Sequence, residues 1–221
     1  MLDSRARSRT NAHLSGSFVI NGSGETNTAT TLSYIDQTIC SEFPMLKMVY
    51  ANNGIGVVYT DRKRPVSLRI IVGQNFFLSR VSSIVESDTN DVFNAFLLRY
   101  DYNALTDRYQ GVITRDSNNS SLCRMSQQRV GRREMNFDSI SIIDDNTAST
   151  VIDWLVNHLS LPSYVVTYTA TPKTLFYMSI GDNIEITDTF LNIDKKNATI
   201  ESIKYEAGKV EVRVRLWLQY K

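Results

Sequence analysis

At Pro162 the hydrophobic pattern of this 221-residue chain changes period, and that change limits what the chain can fold into. Before the proline, Ala148, Val151, Ile152, Leu155 and Leu159 recur at helical spacing. They follow Asp144-Asp145-Asn146-Thr147, whose short polar side chains suit an N-cap and whose charges suit the positive end of a helix. After the proline, YVVTYTA, LFYMSIG, NIEITD, ATIESIKYE and KVEVRVRLWLQY alternate with period two between turn residues. In the last run Val210, Val212, Val214 and Leu216 take one face while Glu211, Arg213 and Arg215 take the other. This pattern predicts an α+β, mostly β chain that ends in a small antiparallel β-barrel or sandwich over 161–221.

Upstream, residues 1–30 read as an N-terminal arm, with Gly16, Gly22 and Gly24 among many Ser, Thr and Asn residues. An α+β domain is expected over 31–160. Leu32, Ile35, Ile39 and Phe43 mark one face of a helix that Pro44 stops, and Asn52-Asn53-Gly54 between two β-branched runs marks a hairpin. Segments 66–72 and 93–100 read as strands, with a loop or short helix between them. Tyr100, Tyr102 and Tyr109 crowd the next turn, where rings are expected to be buried and hydroxyls wet. The polar stretch 116–134 reads as a connecting loop. Its Arg124, Arg129, Arg132 and Arg133 could meet phosphate, but solvation and pairing with nearby acids is the reading favoured.

With 24 Lys and Arg against 23 Asp and Glu the chain has no global field for nucleic acid, so any DNA contact would be local. Cys40 and Cys123 cannot form a disulfide framework and read as small hydrophobes. No window approaches the roughly 20 apolar residues of a membrane span, and no secretion signal is visible, which suggests synthesis in a reducing cytoplasm.

The chemistry that the residues could support is thin. His13 and His158 with the two cysteines have no zinc-ligand spacing, and His158 sits where a helix C-terminus favours a cation. There is no G-x-S-x-G elbow, NGSGETN lacks the Lys of a P-loop, and Asp144-Asp145 is better explained by capping. No catalytic, metal or cofactor residue is assigned, and no cofactor is expected.

From residue 92 onward the order of motifs resembles the hub proteins at the distal end of tailed-phage tails, a group that includes the long lambda-type host-specificity proteins. The motifs are Val92-Phe93-Asn94 to Tyr100, Ser126 to Val130-Gly131-Arg132, Asn146-Thr147-Ala148 to Pro162, and the turn Ile180-Gly181-Asp182 leading to Asp188. Asn94, Tyr100, Ser126, Gly131, Arg132, Gly181 and Asp182 are carried over as structural motif residues. The chain is much shorter than the longest hubs and resembles their C-terminal part.

The resemblance implies hub-type domains in a homotrimeric ring that closes the tail tube at the distal end of the virion. It further implies an anchored central fibre or spike and a role in genome ejection. Its partners would be tube or distal tail proteins, the fibre or spike and the tape measure, with transient contact to exiting DNA. Two alternatives stay open: the hub of a contractile injection or gene-transfer particle, and a carbohydrate- or receptor-binding β module using Trp154 or Trp217.

Overall fold

The computed structural model describes residues 31–51, 54–81, 85–86, 91–206 and 209–217. The arm expected over 1–30 and the Asn52-Asn53 turn lie outside the described residues. Two units share the chain, Met1–Tyr59 with Phe93–Ser160, and Thr60–Val92 with Leu161–Lys221.

In the first unit, helix α1 (Thr31–Tyr34) runs on as a π-helical turn, Ile35–Cys40, and Phe43 and Met45 follow it into the core. Strands β1 (Leu46–Ala51) and β2 (Gly54–Tyr59) form an antiparallel hairpin, Leu46 opposite Tyr59. A three-stranded sheet has the order β7-β6-β8. Here β6 (Ala95–Asn103) pairs antiparallel with β7 (Arg108–Arg115) and parallel with β8 (Glu134–Asp138). Helix α3 (Asp145–Leu159) buries Ala148, Val151, Ile152 and Leu155 in one cluster with Phe96, Leu98 and Tyr100 of β6. The Asp144 carboxylate accepts the Thr147 N–H at 2.9 Å, the expected N-cap. Apolar burial on this scale is the main stabilising term of the unit.

The stretch 116–134, expected as a loop, holds helix α2 (Ser121–Val130). Its Ser120 hydroxyl caps the Cys123 N–H, and its inward residues are Cys123 and Ser126, small groups that leave no apolar stripe in the sequence.

The second unit is a mixed sheet in the order β3-β10-β11-β12-β9-β4, with β5 (Val85–Glu86) also on β9. From the C-terminal segment come β9 (Ser163–Ala170), β10 (Asn183–Asp188), β11 (Ile193–Glu206) and β12 (Lys209–Trp217). Segment 60–92, which the sequence pattern grouped with 31–160, supplies the rest. Strand β3 (Leu68–Ile71) lies parallel to β10, and β4 (Phe77–Arg80) lies antiparallel to β9. The correction has a simple cause: a strand pairs across any distance in the chain, and nothing local names its partner.

The sheet curls as a half-barrel. Gly73 N–H donates to the Phe77 carbonyl at 2.7 Å, joining the end of β3 to the start of β4. Inside lie Ile70, Phe77, Tyr168, Ile184, Ile186, Ile200 and the four apolar residues of β12. The segment LFYMSIG, expected as a strand, instead begins with the single turn α4 (Thr174–Tyr177), which leaves Leu175, Phe176 and Tyr177 outside the core.

Candidate functional site

Asn94 is fully buried at the entrance to β6, and every group of its side chain is used. Its amide donates to the Ser126 hydroxyl at 3.1 Å and to the Gly131 carbonyl at 2.8 Å, and its carbonyl accepts the Arg133 N–H at 2.8 Å. Its own backbone N–H goes to the Arg133 carbonyl, and its carbonyl takes the Gln127 side chain at 2.8 Å. One asparagine therefore ties the start of β6 to the end of α2 and the chain entering β8. Gly131 ends α2 at φ 78°, a left-handed conformation that side-chain-bearing residues adopt at a cost.

Tyr100 lies on the same strand but serves a different contact. Its ring covers Gly111 on β7 so closely that a Cβ there would sit 2.4 Å from the ring carbons. Its hydroxyl donates to Asp145 at 2.6 Å, and this bond, together with burial, pushes the phenol up to about 12. The hydroxyl expected to be wet is thus spent on the first turn of α3. Arg132 pairs with Glu134 at 2.9 Å, with both side chains more than half exposed, and Arg124 donates to the Ser117 carbonyl.

Gly181 and Asp182 belong to the second unit, so the structure does not place them with the Asn94 cluster. They form a turn in which the Asp182 carboxylate accepts the Ser179 N–H at 2.9 Å and Gly181, at φ 86°, donates to the Ile200 carbonyl. The next residue, Asn183, is the one that sequence reasoning missed. Its amide donates to the carbonyls of Asp61, Arg62 and Arg64, and its carbonyl accepts the Thr199 hydroxyl, which in turn accepts the Trp217 indole N–H. An asparagine opening a strand just after a Gly-Asp turn was the signal available.

These side chains hold backbone in place. His158 stacks on Trp154 at 3.9 Å, with its Nδ1 2.9 Å from the Trp154 carbonyl, and Cys123 lies 3.8 Å from the Ser160 hydroxyl. Trp217 is buried, with the guanidinium carbons of Arg62 and Arg215 at 5.4 Å and 5.9 Å from its ring centroid. Among the described residues no group of three His, Cys, Asp or Glu could hold a metal ion, and no helix is long and apolar enough to cross a membrane.

What the two units do present is exposed apolar surface. The β6–β7 tip carries Leu105 at 97% exposure, on a turn where Asn103 accepts the Leu105 N–H. In the second unit Phe176 and Phe190 are 85% and 95% exposed.

No protein-family model matches the chain, and no curated protein sequence matches it. Among solved structures, it shares its fold with a chain from the virion of a native gene transfer agent particle. The TM-score is 0.52 at 10% identity, over 83% of this chain and 38% of that one. Two weaker similarities are a prophage tail protein of Listeria monocytogenes (TM-score 0.47, 13% identity, 84% of this chain and 52% of that one) and the 43 kDa tail protein of prophage MuSo2 from Shewanella oneidensis. The latter has a TM-score of 0.44 at 14% identity, over 84% of this chain and 53% of that one. The chain spans about half or less of the length of each.

Proposed function

We propose that this chain is a structural protein of a phage-tail-type particle, acting by assembly and not by catalysis. In this reading it is a hub: a homotrimeric ring that closes the tail tube at its distal end, anchors a central fibre or spike and opens during genome ejection. The observation that carries the reading is the fold it shares over 83% of its length with a chain of a gene transfer agent virion. The buried polar side chains support it as well, because Asn94, Asn183 and Tyr100 are consumed in holding backbone and helix ends.

The same likeness favours a second reading of the same kind, the hub of a gene-transfer particle. The nucleic acid packaged with purified particles separates the two. A carbohydrate-binding role has less support, since Trp217 is buried and Trp154 is stacked on His158.

Antibody labelling of purified particles by electron microscopy tests the proposal. Label confined to the far tip of the tail is the expected result. Particles without label anywhere would refute it.

A further inference from the structure

We infer that Asn75 guards the free edge of β3: its side-chain amide occupies the backbone groups through which a second copy of this chain would otherwise add as a neighbouring strand. Such a guard is needed whether or not the chain is a hub.

Among the described residues β3 pairs with one strand alone, β10, to which it lies parallel. In a parallel ladder the backbone groups of one residue face one side and those of the next residue face the other. Val72 N–H donates to the Thr187 carbonyl at 3.0 Å, on the β10 side. Ile71 N–H and the Arg69 carbonyl therefore face away from β10, on the side where Gly73 N–H meets the Phe77 carbonyl.

An edge with open backbone groups is a template for strand addition, and this one has the composition that makes addition favourable. Residues 66–72, VSLRIIV, form a β-prone apolar run with a single charge, Arg69. The side chains of Ile71 on β3 and Leu78 on β4 are 40% and 52% exposed. Two copies would present identical edges, which pair about a twofold axis.

Asn75 meets both open groups. Its Oδ1 accepts the Ile71 N–H at 3.2 Å and its Nδ2 donates to the Arg69 carbonyl at 3.4 Å. One planar amide thus supplies the acceptor and the donor that the backbone of an incoming strand would bring to the same two residues. The Ile71 carbonyl is used as well, by the Gln74 N–H at 3.1 Å. The turn holds the amide in place: Oδ1 also accepts the Phe76 N–H at 2.9 Å, and Phe77, the next residue, is fully buried.

Amide hydrogen exchange of the full chain reads the guard directly. The Ile71 amide is expected to exchange at least about tenfold more slowly than in an unstructured peptide, although it faces away from β10. An Ile71 amide exchanging at the unstructured rate would overturn the inference, and this reading requires no variant to fold. In dilute Asn75→Ala the Ile71 protection is expected to be lost while that of Val72 stays. At rising concentration Asn75→Ala is expected to exceed the mass of the native chain, at a concentration about tenfold lower than the native chain would need. Adding Ile71→Lys, a charge on the same edge, is expected to restore the native mass. Asn75→Ala that keeps the native mass at every concentration would overturn the guard and leave the hub reading standing. Extra association that persists with Ile71→Lys would overturn it too.

Discussion

In the first unit Asn94 is buried where α2 and β8 meet β6; in the second Asn183 is buried where segment 60–67 meets β10. Both stand at the mouth of a strand and both spend their amide on backbone carbonyls. They differ in what the amide reaches. All three carbonyls held by Asn183, those of Asp61, Arg62 and Arg64, belong to a half-exposed loop that water can reach, whereas the Asn94 amide divides between the Gly131 carbonyl and the fully buried Ser126 hydroxyl. The same residue type should therefore be worth more in the first unit than in the second.

The largest effect is expected from Asn94→Ala, which strands several groups at once and should cost about 3–4 kcal/mol. Hydrogen exchange should then accelerate across α2 and β8. Asn183→Ala should cost about 2 kcal/mol, because solvent replaces part of what is lost. Chemical denaturation of both variants checks the order, and equal losses would break the comparison.

Gly111→Ala comes next, at about 1–3 kcal/mol, because the Tyr100 ring above it is pinned by Asp145 and cannot give way. The double variant Gly111→Ala, Tyr100→Ala should remove that clash, so a double-mutant cycle should find coupling.

Alkaline pH acts on both units. Tyr100 keeps its proton to about 12, whereas an unfolded tyrosine releases it near 10, so the folded state binds more protons in that window. Stability should be intact below pH 10 and should fall as pH rises towards 12. In the second unit burial and Asp188 push Tyr168 upward in the same sense. Tyr100→Phe should flatten the dependence in part, leaving the Tyr168 contribution. The smallest effect is expected from Arg99→Met: its bidentate pair with Asp138 is substantially exposed and should contribute within about 1 kcal/mol.

The two units also differ in how much of them could be read from the sequence. Helix α3 was legible because a capping aspartate, an apolar stripe and Pro162 agree, and β12 because its alternation runs unbroken. Helix α2 was hidden, since its buried face is Cys123 and Ser126 and its outward face is Arg and Gln. Strand β3 was legible within 66–72, but β4 and β5 were hidden because they hold four residues and two; the partners of all three lie about a hundred positions along the chain. The LFY of α4 misled because aromatic runs usually mean buried strand, and here they stand outside the core.

For the candidate site, Asn94, Ser126 and Gly131 were named in advance and do meet, while Tyr100 and Arg132 turn to other partners. Asn183 was missed because its carbonyl partners lie some 120 residues away in the chain.

If this chain works by assembling, as proposed, its mass in solution must show it. Light scattering of the purified full chain, alone and with the proteins proposed to neighbour it in a particle, is the direct test. A mass near three chains is the predicted result. A single-chain mass under both conditions would contradict it.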